Sequence, residues 1–153
     1  MTAKTLRLDQ FIPYRLSFTA ALLSDTIAQS YERLFGISIA EWRVIAWVAE
    51  LGSVTQQQIC ARSRMDKVTV SRAAIALSGQ GIVQRLPNAE DRRSHLLALT
   101  EEGRRLHGAI APRALELESG IFSHFSAEEV EAFVAMLRRI DAIVLGEREE
   151  ERG

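Results

Sequence analysis

The 153-residue sequence predicts a mainly helical α+β chain, in which several amphipathic helices are interrupted by one β-hairpin. Three observations predict this class. Apolar residues recur every three or four positions along most of the chain, the period of a helix packed against a core. Capping-box pairs, Ser or Thr followed three residues later by Glu or Gln, begin at Ser38, Thr55 and Ser126. Between residues 82 and 99, two short apolar runs flank a polar, turn-forming stretch, as in a hairpin.

The N-terminal half contains three predicted helices. The first ends at Gly36 and carries one apolar stripe, which comprises Leu16, Ala20, Leu23, Ile27, Tyr31 and Leu34. The second begins at Ser38 and ends at Gly52, because glycine favours helix termination. Its shared apolar face comprises Trp42, Ile45, Val48 and Ala49. The third is short and runs from Thr55 to about Arg62.

The C-terminal half contains three more helices and the hairpin. The fourth helix follows an Asp66 cap, spans about 67–80 and buries Val70, Ala74 and Leu77. Predicted strands at 82–86 and 95–99 surround a turn at 87–91. The fifth helix runs from Thr100 towards His124, with a bend expected at Pro112. The sixth begins at Ser126 and ends at Gly146, before a frayed charged tail at 147–153. Its apolar side comprises Val130, Phe133, Val134, Leu137, Ile140 and Val144.

Composition excludes several classes of protein. The chain is 47% hydrophobic and 25% charged, which is ordinary for a folded domain and unlike a disordered chain. Charged residues interrupt the apolar runs before the roughly 20 residues that a membrane span needs. The single cysteine, Cys60, cannot form an internal disulfide, so a cytoplasmic location is expected. We interpret Cys60 as a small buried hydrophobe, with a redox role as the alternative.

The net charge of −1 conceals a basic segment. Residues 62–93 carry seven basic and three acidic side chains, net +4. Residues 1–61 are net 0, and residues 94–153 are net −5. A basic segment in an otherwise neutral or acidic chain is typical of polyanion binding, although chance clustering on a solvated face gives the same count.

The sequence offers no catalytic or metal-binding constellation. His95, His107, His124 and Cys60 lack the spacing of a zinc site, and glycine-rich phosphate loops are absent. We therefore expect no enzyme activity, no cofactor and no metal. His95 is interpreted as structural, and Trp42 with Trp47 as core packing, with a ligand cage as the alternative for the tryptophans.

Residues 55–100 hold the functional signal. Two helices joined by the tight connection 63–66 form a helix-turn-helix, and the second begins with small or polar side chains. Those that could meet base edges or phosphates are Lys67, Val68, Thr69, Ser71 and Arg72. The hairpin follows directly with Arg92 and Arg93 at its tip, and arginine suits the negative potential of a narrow minor groove. Helix and hairpin together predict binding to double-stranded DNA.

Residues 66–106 resemble the winged helix-turn-helix core of the MarR family of bacterial transcriptional regulators. The most specific match is Asp91-Arg92-Arg93, the family's D-x-R wing pattern, followed by L-T-x-x-G at Leu99, Thr100 and Gly103. The resemblance extends upstream through EWRVIAWVAELG, residues 41–52, and covers the helix order of nearly the whole chain.

The resemblance implies roles for individual residues. Arg93 would enter the minor groove, with Asp91 orienting it by a charge-assisted hydrogen bond. Ser71 and Arg72 occupy the Thr/Ser-Arg positions of the family's recognition helix. An exposed salt bridge in a turn is the alternative for the wing pair. Because Ile75 is apolar where some members have a polar residue, contact between DNA and the C-terminal half of this helix stays open.

The predicted architecture is a winged helix-turn-helix with N- and C-terminal dimerisation helices. Residues 37–100 form the DNA-binding domain, 1–36 and 101–146 the helical dimerisation region, and 147–153 a charged tail. Apolar stripes on the terminal helices favour a homodimer, which would match a palindromic operator. The family resemblance implies a repressor released by a small, possibly aromatic, acid. Candidate ligand residues are Tyr14, Arg15 and Trp42, although Arg15 is equally read as an exposed helix charge.

Two other classes of function stay open. One is a dimerisation or scaffold module whose winged fold no longer binds DNA. The other is a small-molecule enzyme whose site the sequence does not reveal. The operator, the effector and the choice between repression and activation are not encoded in any motif that we identify.

Overall fold

The computed structural model describes residues 5–153. A short 3-10 turn, Leu8–Gln10, precedes the first long helix. The helices in this part of the chain are α1 (Ile12–Phe35), α2 (Ile39–Leu51), α3 (Gln56–Ser63), α4 (Lys67–Gly79), α5 (Glu101–Phe122) and α6 (Ala127–Arg152). Strands β1 (Val83–Pro87) and β2 (His95–Leu99) lie between α4 and α5. The prediction of a mainly helical chain with one hairpin is confirmed.

Side-chain caps set the helix starts that the sequence predicts. The Thr55 and Ser126 capping boxes are complete, with the side chains at the N-cap and N3 positions both bonded to backbone. At Ser38, the hydroxyl accepts a hydrogen bond from the Glu41 N–H at 3.1 Å. The same hydroxyl donates to the Glu41 carboxylate at 3.0 Å, so this carboxylate does not reach back to the backbone. All three helices begin where their caps predict.

The chain forms two compact units, one extending to Ala114 and the other Leu115–Gly153. The core of the first lies between α2, α4 and the hairpin. Its fully enclosed side chains include the predicted α4 face, Val70, Ala74 and Leu77. On α2 the predicted Ile45 and Val48 are buried together with Val44, whereas Trp42 and Ala49 are half-buried.

The hairpin is antiparallel, with Val83 opposite Leu99 and Pro87 opposite His95. Val54, between α2 and α3, adds an isolated antiparallel β-bridge to β2. Its N–H donates to the Leu97 carbonyl at 3.0 Å and its carbonyl accepts from the Leu97 N–H at 2.7 Å. β1 lies one residue later than the predicted 82–86 and includes Pro87, because a proline at the end of an edge strand needs no ladder donor. β2 coincides with the predicted 95–99.

The base of the hairpin is fixed to α5 by Thr100 and Gly103. The Thr100 hydroxyl donates to the Gly81 carbonyl at 2.6 Å and accepts from the Gly103 N–H at 3.0 Å. A Cβ on Gly103 would overlap the Ile82 carbonyl oxygen, so only glycine allows this close approach of helix and strand. The L-T-x-x-G pattern therefore has a structural reason.

The predicted end of the last helix was wrong. α6 continues through Gly146 to Arg152, and a Cβ at Gly146 would meet open space, so no close contact requires glycine there. One glycine inside a helix costs only about 1 kcal/mol, and the Glu and Arg residues that follow are good helix formers. α5 runs through Pro112 to Phe122, close to the predicted end near His124.

Candidate nucleic-acid interface

The connection between α3 and α4 is built by short side-chain hydrogen bonds. The Ser63 hydroxyl donates to the Ile59 carbonyl at 2.6 Å and accepts from the Met65 N–H at 3.2 Å. Arg64 adopts the left-handed conformation, with φ 58°, which ends α3 and turns the chain. These contacts define the angle at which α4 leaves α3, and thereby the helix-turn-helix.

Asp66 caps the start of α4 twice. Its carboxylate accepts the Thr69 N–H at 2.7 Å and the Thr69 hydroxyl at 2.8 Å. Both hydrogen bonds favour the charged carboxylate and lower the pKa of Asp66 below its ordinary value. The Thr69 hydroxyl donates its proton to this cap. Among the residues predicted to contact DNA, Thr69 therefore stabilises the start of α4.

The other predicted residues of α4 lie on its outer side. Lys67, Val68 and Arg72 are exposed, and Ser71 is half-buried. Within residues 5–153 neither Lys67 nor Arg72 forms an ion pair with a carboxylate, so both charges face solvent. The helix therefore presents unneutralised cations beside its N-terminus, where the helix dipole also favours phosphate.

The tip of the wing is ordered by hydrogen bonds that involve Asn88, Asp91 and Ser94. Asn88 donates from Nδ2 to the Ser94 hydroxyl at 2.9 Å and accepts from the Glu90 N–H at 3.1 Å. Asp91 accepts the backbone N–H of Arg93 at 3.0 Å. Arg92 and Arg93 are exposed, and in the described part of the chain the Arg93 guanidinium has no carboxylate partner. Asp91 thus shapes the backbone of the tip rather than binding the Arg93 side chain.

A cleft of about 260 Å³ lies on the wing and adds two residues that the sequence analysis did not assign to DNA. Arg85 and His95 line it together with Arg92. In the strand register, Arg85 and Pro87 share a face with His95. His95 is exposed, although a structural role was expected for it. The register that pairs the two strands is the signal that groups Arg85 with His95.

A separate cavity of about 520 Å³ lies between the end of α2, β2 and the start of α5. Arg104 and His107 line it, and the Arg104 guanidinium donates to the Leu99 carbonyl at 3.1 Å. The His107 ring stacks on Trp42 with centroids 5.6 Å apart, and Trp42 meets Tyr31 edge-on, also at 5.6 Å. Burial raises the pKa of the Tyr31 hydroxyl.

The remaining predicted ligand residues lie on α1. The Arg15 guanidinium sits 5.5 Å from the centre of the Phe18 ring, and the Tyr14 ring is 6.4 Å from it. Tyr14 and Arg15 are exposed and are not among the residues that line the cavity beside His107. The structure thus groups Trp42 with His107, and Tyr14 with Arg15.

Other chemistry has little support in the described residues. No three His, Cys, Asp or Glu side chains among residues 5–153 are grouped to hold a metal ion. Over the same range, no helix is both long enough and apolar enough to cross a bilayer. Cys60 is a half-buried free thiol.

A helix-turn-helix followed by a two-stranded wing, both carrying exposed arginines, is the winged helix-turn-helix fold. The model of the MarR family matches residues 35–94. Over this segment, 60 of the 153 residues, the chain is similar to the MarR family.

Individual proteins are similar to the chain over most of its length. The uncharacterized HTH-type transcriptional regulator YwoH of Bacillus subtilis is 27% identical over 130 residues, covering 85% of this chain and 93% of YwoH. The crystal structure of a MarR/EmrR family transcriptional regulator from Acinetobacter superposes with a TM-score of 0.84 at 24% identity, covering 91% of this chain and 98% of that one. Bordetella bronchiseptica BpsR, whose DNA binding is regulated by 6-hydroxynicotinic acid, shares the fold with a TM-score of 0.82 at 19% identity, covering 90% and 98%.

Proposed function

We propose that this chain is a cytoplasmic repressor that binds a palindromic operator as a homodimer and is released by a small aromatic acid. The observation that carries the DNA-binding part is the pair of exposed basic elements, the outer side of α4 and the wing tip. Arg72 and Arg93 lack carboxylate partners in the described residues, so each is available for a phosphate or a base. In this proposal α4 enters the major groove and Arg93 the minor groove, and the chain has no catalytic role.

Homodimerisation is supported by apolar side chains that one copy leaves in water. On α6 the exposed large apolar residues are Phe133, Val134, Met136, Ile140, Ile143, Val144 and Leu145. On α1 they are Ile12, Phe18, Leu22 and Leu34, with Tyr14 beside them. Each larger side chain gains about 1.5–3 kcal/mol when it is fully buried. A second copy would cover these faces, and a two-fold dimer would place two α4 helices on half-sites about 34 Å apart.

The effector is proposed to bind in the cavity between α2, β2 and α5. Its volume of about 520 Å³ suits a small molecule. Arg104 and His107 supply donors for a carboxylate, and His107 stacked on Trp42 supplies an aromatic wall. BpsR, with its aromatic acid effector, supports this ligand class by analogy. Tyr14 and Arg15 form the second candidate site, because the cationic Arg15 lies beside two aromatic rings.

Selection of bound duplexes from a randomised DNA library tests the proposal. We expect the full chain to select a palindrome, and Arg72→Ala and Arg93→Ala to bind it more weakly than the wild type does. Arg33→Ala is the matched control, because it removes the same charge from α1, outside the basic segment. A library that yields no shared sequence would overturn the regulator and favour a scaffold module.

A reporter assay with a promoter distinguishes repression from activation. Placed across a promoter on a reporter plasmid, the selected site should lower expression when the protein is present, because a bound dimer excludes the polymerase. Addition of 6-hydroxynicotinic acid, or of a related aromatic carboxylate found by thermal-shift screening, should restore expression. Raised expression in the absence of an effector would make the protein an activator.

A further inference from the structure

We propose that Val68 and Ile75 read the 5-methyl groups of thymines in the major groove, one on each side of the base pair contacted by Arg72. The inference rests on the proposed DNA-binding function and adds the base identity that this helix selects. Its starting observation is an exposed apolar pair on α4, with Val68 57% and Ile75 59% exposed.

The two apolar side chains share one row of the helix with Arg72. Positions 68, 72 and 75 fall within an arc of about 60°, because each residue turns the helix by 100°. The arc is centred on the side opposite the buried Val70, Ala74 and Leu77. The row therefore faces away from the core.

The spacing of the row fits DNA. Seven residues of helix separate Val68 from Ile75, about 10.5 Å along the axis, which is roughly three base-pair steps of 3.4 Å. Arg72 lies between them, and its guanidinium can bind guanine O6 and N7 together. Apolar side chains contact the thymine methyl, the one apolar group that the major groove offers. The row thus specifies a guanine flanked by thymines within three steps.

Continuity with charged surface identifies DNA as the occupant of this apolar pair. A single exposed Val or Ile is ordinary on a protein surface. This pair, however, brackets an arginine that lacks an ion-pair partner in residues 5–153, and lies in the segment of net +4. A purely apolar partner would bury that guanidinium without compensation. A major groove satisfies both the cation and the two apolar side chains.

The test replaces thymine by uracil, which removes only the 5-methyl group. A duplex chosen by the full-length protein from a randomised library is resynthesised with each thymine changed singly to uracil. We expect one or two positions per half-site, close to the guanine, at which uracil weakens wild-type binding about fourfold, the effect of one methyl group removed from contact. Uracil outside the half-sites should leave the affinity unchanged.

Double-mutant cycles then assign each methyl to a residue. Ile75→Ala should bind the thymine and uracil duplexes equally at one position, and Val68→Ala should do so at another. Gln80→Ala, at the exposed C-terminal end of α4 but outside the row, should keep the full discrimination. Both apolar variants should sediment as the wild type does, because the inferred contact is with DNA and not with a second copy.

Distinct results overturn the inference and the function on which it rests. Selection of no sequence at all overturns both. A selected palindrome at which every uracil is neutral, or at which Ile75→Ala and Val68→Ala keep the wild-type discrimination, overturns the inference alone. Dissociation of the dimer by Ile75→Ala would assign the apolar pair to self-association and would overturn it as well.

Discussion

The Asp91 carboxylate accepts the backbone N–H of Arg93 at 3.0 Å, two residues along the chain. This bond closes a small turn at the wing tip and leaves the Arg93 guanidinium in solvent. The acid of the wing therefore controls where the arginine points by shaping the main chain. That role differs from the charge-assisted side-chain contact that the family resemblance implied.

The wing contact predicts different effects for two substitutions of Asp91. Asp91→Asn keeps an oxygen acceptor for the Arg93 N–H and removes a negative charge near phosphates, so operator affinity should stay equal or rise. Asp91→Ala loses the turn and should weaken binding, approaching the loss of about 1–3 kcal/mol expected for Arg93→Ala. Fluorescence anisotropy with the selected duplex measures all three. Weak binding by Asp91→Asn would contradict this role and would support a charge-assisted contact between Asp91 and the Arg93 guanidinium.

The basic segment predicts a strong dependence on salt. The logarithm of the binding constant should fall linearly with the logarithm of salt concentration, with a slope of about −0.9 per phosphate neutralised. Arg92→Ala should make that slope shallower by roughly 1 for each copy that contacts a phosphate. Arg33→Ala serves as the control with an unchanged slope. A flat response of the wild type would contradict the electrostatic interface.

The terminal helix predicts self-association. Ile140 is 40% exposed in one copy, so Ile140→Asp places a charge on α6 without disturbing a closed core. The variant should sediment near the monomer mass of 17.1 kDa, whereas the wild type should sediment at about twice that value. Its operator affinity should fall too, because one copy holds only one half-site. Arg139→Asp, one residue away and already polar, is the control for charge on this helix.

A wild-type chain that sediments as a monomer and still binds the palindrome tightly would refute this arrangement. If Ile140→Asp remains a dimer and its operator affinity is unchanged, the dimer interface does not include this face of α6. Circular dichroism of the variant establishes that α6 itself remains folded.

The Asp66 cap predicts a pH dependence of stability. Because hydrogen bonds from Thr69 lower the pKa of Asp66 in the folded state, its contribution is present above the unfolded value of about 4. The contribution is lost as the pH falls through the lower, folded value. Denaturant unfolding at pH 7 and near pH 3 should show a larger acid loss in the wild type than in Asp66→Asn. Equal losses would show that the cap does not respond to charge.

Local chemistry explains which features the sequence could predict. The caps at Thr55, Asp66 and Ser126 depend on residues three positions apart, so their helix starts were correct. The buried face of α4 follows from periodicity and was also confirmed. By contrast, the end of α6 was missed because Gly146 stops a helix only when another conformation is better for the residues that follow.

Features that depend on packing in three dimensions were not accessible in the same way. The cavity beside His107 forms where α2, β2 and α5 meet, and no linear motif connects its lining. The wing cleft required the strand register that places Arg85 and His95 on one face. The family resemblance identified Asp91 as a partner of Arg93, but it implied the guanidinium rather than the backbone N–H that Asp91 accepts. The roles of these residues in DNA and ligand binding stay predictions.

Because Thr100 and Gly103 fix the base of the hairpin to α5, the hairpin and this end of α5 move together as one rigid unit. A strand of five residues is about 17 Å long, so a rotation of about 10° at the base of the hairpin displaces its tip by about 3 Å. Arg104 and His107, which line the cavity, lie within two turns of that base on the same helix. A molecule that tilts this end of α5 therefore moves the wing arginines by most of a base-pair step while every contact within the hairpin stays intact.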